Sequence, residues 1–510
     1  MLRKKIILGL LIISISFLFF ACSNNEIGDA DSNEENFVDN INNIGAGEAD
    51  ETTALENDRW REIEPNLPDA DFEGYEFNVL VRSSDHIHWL PWEARDIISE
   101  ELNGEPINDA VFRRNSDIEA QYNITIVETK RIDHATMLRN TISAGDDMFD
   151  LYYADFNSIT SVAAQGFFHD LLQMPYIDLE APWWDQNAKE SLSIANMLFF
   201  CTSDLILLHN DSTSALVFNK ELIRDYGMDD PHQLVHDGLW TVDRLYDMSR
   251  NISYDLDGNG IMDENDMYGF IFYRDASLSL MHGAGGRIAR KDSNDLPYLT
   301  LGEELPLTAL SRAFDVMYAP SGFNVHRELE GRFDAIYLIS HNMFMENRAL
   351  FYWILLHDIV SFREMDADFG ILPIPKLNEH QETFGHTVNQ FHGNAMAVPI
   401  TVQNTERTGI ILEALTARSR FTLLPAYYEI SLQRKFTRDD ESADMLDIIF
   451  STQVYDLGAI YNFGGYSWEI IWMTMSQDRD IVTLVERRER IAERDIERMI
   501  DRYLELAESR

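Results

Sequence analysis

The 510-residue chain predicts an α/β protein built on parallel sheets, and three observations carry that reading. In YEFNVLVRS (75–83), Tyr75, Phe77, Val79 and Val81 alternate as the residues of a half-buried strand do. INDAVFRRNSDIEAQY then places Val111, Phe112, Ile118 and Tyr122 on one helical face. NITIVETK follows as a strand and, after a further short helix, so does FDLYYADF (149–156), giving strand–helix–strand–helix–strand. Finally, roughly 440 residues lie beyond the amino-terminal tract, enough for two or three domain-sized units with substantial cores.

The amino terminus is of another kind. MLRKK precedes residues 6–21, which carry no charge. That run is shorter than the about 20 residues a membrane span needs, and it fits a secretory signal. Ala21 stands before Cys22 in LFFAC, which resembles the bacterial lipobox, with Phe19 where a leucine is usual. The expectation is a signal peptide over 1–21 and a lipid-bearing (palmitate-type) Cys22. The only other cysteine, Cys201, then has no partner, and the fold holds without disulfides. Residues 23–72 hold 15 acids against two arginines, a net −13, with few large apolar side chains. They read as a disordered acidic tether (22–72) with a reach of about 40 Å. Charge over the whole chain is −46. Such a surface repels nucleic acid and anionic lipid, and no basic run offsets it.

Beyond the first strand–helix series, ALVFNKELI (215–223) begins a second, HGNAMAVPI (392–400) is a late apolar strand, and 481–510 is an amphipathic helix. On its apolar side stand Val485, Ala492, Ile496, Met499, Ile500 and Tyr503. No repeat of 20–50 residues recurs.

The order of segments resembles extracellular solute-binding proteins of the sugar-binding group that serves ABC importers. The resemblance rests on YEFNVLV, NDAVFRRNSDIEAQYNI, GFFHDL with APWWD, VFNKELIRDYG, GLWTVDRLYDMSR, the acidic loop ending DMYGF, GNAMAVP and ERTGIILEAL. It implies a two-lobed, periplasmic-binding-protein-like fold of type II, with hinged lobes that are discontinuous in sequence. Lobe 1 would comprise 73–207 plus about 393–420, and lobe 2 208–392 plus about 421–510, with crossovers near 203–210 and 392–395. It further implies a lipid-anchored, monomeric protein on the outer face of the cell membrane, with ABC permease subunits as partners. A carbohydrate or oligosaccharide would lie in the interlobe cleft and leave unchanged. The alternatives are a surface glycan-active enzyme, a sensory receptor subunit, or a binder of a non-sugar solute such as a peptide.

Residues 254–270, YDLDGNGIMDENDMYGF, set Asp255, Asp257, Asn259, Asp263 and Asp266 at positions 1, 3, 5, 9 and 12 of a calcium loop, with Gly260 at position 6 and the Ile261 carbonyl at 7. A strand, not a second helix, follows in YGFIFYR. The reading is therefore a structural calcium ion rather than a sensor.

Sugars offer C–H faces to aromatic rings and hydroxyl rims to acids and amides. Candidate contacts are Trp89 and Trp92 after the first strand, Asp155 and Asn157 after the third, Trp353 in FYWILLHD, and Trp468 and Trp472 in GGYSWEIIW. Trp183 and Trp184 read as scaffold as much as site, Trp240 at a helix start as packing, and Gly285, Gly286 and Arg287 as a turn able to approach the cleft. No HExxH, GxSxG or GxxxxGK[ST] occurs, and no catalytic residue is assigned.

Overall fold

The computed structural model describes residues 63–83, 92–332, 335–362, 365–432 and 440–508. The expected signal peptide (1–21), Cys22, nearly all of the expected tether, and Trp89 lie outside them.

The first sheet orders its strands β13-β3-β1-β2, with β1 Tyr75–Arg82, β2 Ile124–Arg131, β3 Leu151–Asp155 and β13 Asn394–Ala397. β1 pairs in parallel with β2 and β3, through the helices Pro106–Tyr122 and His134–Ala144. The alternation in β1 predicts a half-buried strand, yet Val79, Leu80 and Val81 are all buried. Leu80 points to the face opposite Val79 and Val81, and a sheet joined by helical crossovers is covered on both faces.

The second sheet runs β11-β4-β10-β6-β5, with β9 also on β6. Here β4 is Ser214–Asn219, β5 Ser253–Tyr254, β6 Met267–Phe272, β9 Gly322–Asn324, β10 Ala349–Leu355 and β11 Phe369–Leu372. β6 is parallel to β9 and β10. Three strands depart from the all-parallel expectation: β13 is antiparallel to β3, β4 to β10 and β5 to β6. β4 and β13 are entered from the other sheet rather than through a helical crossover. β5 is joined to β6 by the acidic loop as a hairpin. The remaining strands are β7 Ala289–Lys291 with β8 Pro297–Leu299, and β12 His386–Thr387 with β14 Gln453–Val454.

The chain passes between the sheets through 197–213 and 386–397, which are bridged at Cys201–Met396 and Thr213–Val388. Beside this passage lies a buried polar knot. Asp456 accepts from His282 Nε2 at 3.0 Å, Ile288 N at 2.7 Å, Gly458 N at 2.8 Å and Ala289 N at 3.3 Å, and His282 Nδ1 lies 2.8 Å from Thr387 Oγ1.

APWWD serves as scaffold. Trp183 and Trp184 each donate an indole N–H to one oxygen of Glu413, at 2.9 and 3.0 Å. Glu413 sits in the long helix Thr405–Leu432, and burial pushes its carboxyl up to about 7. Gly409 on the same helix has to be glycine, because a Cβ there would collide with the Pro175 carbonyl. Trp240 is also buried, its indole bonded to Pro373 O at 2.8 Å. The carboxy-terminal helix Ile481–Glu508 buries Val485, Ala492, Ile496, Met499 and Tyr503, and Tyr503 packs on Phe199.

Candidate functional site

Strands β6, β9 and β10 run in the same direction, and their carboxyl ends open on one cavity of about 610 Å³. Open α/β sheets bind ligands at that edge. Tyr273, Arg274 and Asp275 follow β6, His326 follows β9, and His357 and Asp358 follow β10, which itself contributes Trp353 and Leu355. The helix Ile336–Met345 adds Ile336, Tyr337 and His341. Trp92, downstream of β1, comes from the first sheet's side, Phe391 and His392 from the passage between sheets, and Trp468 from the helix Tyr466–Ser476.

The wall is aromatic and pre-packed. Trp92 stacks on His392 with centroids 4.4 Å apart and planes 5° apart, and lies 4.7 Å from His357. Tyr273 meets Trp353 edge-on at 6.0 Å and donates to or accepts from Ser340 Oγ at 2.8 Å. Trp468 rests on Phe391 at 4.7 Å, with the Arg274 guanidinium 5.9 Å from its ring centre. Within this wall the polar atoms Trp92 Nε1, Trp353 Nε1, His326 Nδ1 and His392 Nδ1 are buried with no hydrogen-bond partner. Such groups are costly to leave unmet, and a ligand's hydroxyls or ordered water can meet them. Burial lowers the imidazoles of His326 and His392 to about 3, so both are neutral donor–acceptors at neutral pH.

Of the residues singled out in the sequence, Trp92, Trp353 and Trp468 line this cavity. Asp155 does not. It caps the helix Phe156–Ala163, accepting from Ser158 N at 3.1 Å and Ser158 Oγ at 2.7 Å. It touches the cavity wall indirectly: Arg82, 3.5 Å from Asp155, donates to Phe391 O at 3.0 Å. Asn157 is exposed on that helix, Trp472 is exposed outside the lining, and Arg287 is spent on the carbonyls of His282 and Gly286. The sequence reading missed Tyr273, Asp275, His326, Tyr337, His341, His357, Asp358 and His392. Their signal is position, because most stand one to three residues past an apolar strand.

The acidic loop lies elsewhere, and none of its residues lines the cavity. The pairing of Tyr254 with Met267 closes its base. Oxygens of Asp255, Asp257 and Asp266 lie within 4.8 Å of one another. Gly258 N and Gly260 N donate to Asp255 at 2.7 and 2.8 Å, Ile261 N to Asn259 Oδ1 at 2.6 Å, and Leu256 N and Asp263 N to Asp266 at 2.8 and 2.9 Å. Gly260 takes φ +79°, the left-handed turn that position 6 requires. Asp263 holds Asn265 N and is not one of the converging three. The donor set of hard oxygens around a turned-in backbone suits calcium.

No family model matches the sequence, and no curated protein does either. Solved structures do match its fold. An ABC substrate-binding protein from Listeria monocytogenes, in complex with cycloalternan, aligns at TM-score 0.50 and 12% identity over 84% of this chain and 97% of that one. UspC of M. tuberculosis aligns at 0.52 and 12%, over 82% and 100%. An ABC transporter solute-binding protein from Thermotoga lettingae, bound with α-D-tagatose, aligns at 0.50 and 13%, over 84% and 100%. The fold is therefore the two-lobed α/β fold of ABC solute-binding proteins, as the sequence implied.

Proposed function

We propose that the chain is the binding component of an ABC importer and captures a carbohydrate, without altering it, in the aromatic cavity. One observation carries this reading. A roughly 610 Å³ chamber of stacked aromatic rings and unpartnered polar atoms sits at the carboxyl ends of parallel strands. That chemistry matches a pyranose, apolar on its face and polar on its rim. Two of the fold's neighbours, bound to cycloalternan and to tagatose, support a sugar as the class of occupant. Closure of the lobes around the occupant would create the docking surface for the permease.

The test is a thermal-shift screen against mono- and oligosaccharides, with recovery of each hit. A binding protein melts higher and returns its sugar intact. Turnover of the hit would make this an enzyme instead, and a library without a single shift would remove the carbohydrate reading. Trp468 is 38% exposed, so replacing it should leave the fold alone. Trp468→Ala is expected to weaken the sugar by about tenfold, measured by calorimetry, with an unchanged ligand-free melting point.

We also propose that Cys22 carries lipid and holds the body at the outer membrane face through the acidic tether. Among the described residues no helix is long and apolar enough to cross a membrane. Cys22→Ser is expected to move the protein from the membrane fraction to the medium or periplasm. Retention in the membrane would show another anchor. The acidic loop is proposed to hold a structural calcium ion that pins the β5–β6 hairpin.

A further inference from the structure

We propose, resting on the carbohydrate reading, that the cavity selects a sugar bearing a positive charge, an amine, and that Asp358 is the residue that recognises it. The charges around the chamber carry this inference. Arg274 has Asp275 as its charge partner, with Oδ1 3.7 Å from its Nε, a contact too long for a hydrogen bond. Arg82, behind Phe391, is matched by Asp155 at 3.5 Å. Among the described residues Asp358 is the acid of the chamber with no arginine or lysine against it, and its one ion-pair neighbour is His341. Asp358 lines the chamber and is only 8% exposed. Its Oδ2 takes one long bond, from Leu355 N at 3.3 Å, and its Oδ1 has His341 Nε2 at 3.6 Å, beyond hydrogen-bond reach.

A buried carboxylate so thinly satisfied is costly unless a partner arrives. The same chamber is lined by Tyr273, Tyr337, Trp353 and Trp92, with His341 and His357 next to Asp358. Ring faces attract cations, and a carboxylate at the end of an aromatic chamber completes a site for an ammonium group. His326 and His392, neutral through burial, add no competing positive charge. The long-range field points the same way, because a chain of net charge −46 draws cations and repels uronic acids. A neutral sugar could satisfy the indole donors but would leave the charge of Asp358 unmatched.

The experiment titrates the full chain with disaccharides of the gluco, galacto and manno series that differ at one position: hydroxyl, acetamide, free amine or carboxylate. The amine member of the preferred series is expected to bind about tenfold or more tighter than its hydroxyl and acetamide counterparts. Asp358→Asn keeps an oxygen for Leu355 N and nearly the same volume. It should erase that preference, read as the ratio of amine to hydroxyl affinity within the variant, while leaving the ligand-free melting point nearly unchanged. Equal or tighter binding of neutral or acidic members overturns the charge inference and leaves the carbohydrate reading standing, as does a preference that survives Asp358→Asn. A panel with no binder overturns both.

Discussion

Asp456→Ala is expected to destabilise the protein by about 3–5 kcal/mol, the range for stripping a buried carboxylate from several donors at once. The variant should show a much lower melting point and poor recovery of soluble protein. The side chain has almost no exposure, and its two oxygens hold His282 Nε2 and the backbone N–H groups of Ile288, Ala289 and Gly458. Alanine leaves those donors buried and unmet beside β12 and β14. The same knot sets an acid limb. Burial holds the His282 imidazole below its ordinary range. For Asp456, burial works to raise the carboxyl, but the bonds from His282 and Ile288 and the charges of His282 and Arg287 outweigh it, and the net shift is downward. Both groups therefore bind fewer protons folded than unfolded. Their stabilisation is present at neutral pH. The histidine's share declines as pH falls below about 6.5, and the aspartate's below about 4. In alanine-substituted protein the limb below about pH 4 should be shallower. Equal melting points for the two proteins at pH 7 would show that the knot contributes nothing to the fold.

How far the sequence revealed this depends on which side chains carried a local signal. The first three strands and their helices were legible because alternation and helical spacing are periodic and local. Strand direction was not. β4 and β13 look like any apolar strand, and only the passage between the sheets reverses them. β5, two residues long, had no period to detect. Arg114 shows the same limit, since nothing in NDAVFRRNSDIEAQY distinguishes it from Arg113. Arg114 is buried because Ser419, 305 positions away, and the carbonyls of Asp96 and Ile97 receive its guanidinium.

The cavity was legible in its large rings and illegible in its polar groups. Tryptophan is rare enough for Trp92, Trp353 and Trp468 to stand out. Asp358 was one acid among 87 Asp and Glu, and His326 one of 14 histidines. Only the shared carboxyl edge of β6, β9 and β10 brings them together. Asp155 was equally visible as a strand-end acid, but in the fold its carboxylate is occupied by the helix it caps and by Arg82.

Calcium removal should have the second large effect. Asp255, Asp257 and Asp266 crowd their oxygens within 4.8 Å, and like charges at that range repel unless a cation lies between them. Asp266 is fully buried and bonded to Leu256 N and Asp263 N, so the hairpin base and the charge cluster are mechanically one unit. Calcium at 100 times its dissociation constant would stabilise the fold by about 2.7 kcal/mol. A chelator is accordingly expected to lower the melting point, and calcium, more than magnesium, to restore it, because calcium accepts many oxygens in irregular geometry whereas magnesium demands a near-ideal octahedron. Asp257→Asn retains an acceptor for Asn259 N, bonded at 3.0 Å, while removing one charge from the cluster. It should match the chelated wild type in melting point and respond only weakly to added calcium. Sugar affinity should persist in both, since no loop residue lines the cavity. Superposable melting curves with calcium and with chelator would reduce the loop to a hydrogen-bonded turn. A loss of sugar binding on chelation would instead make the ion part of the binding apparatus.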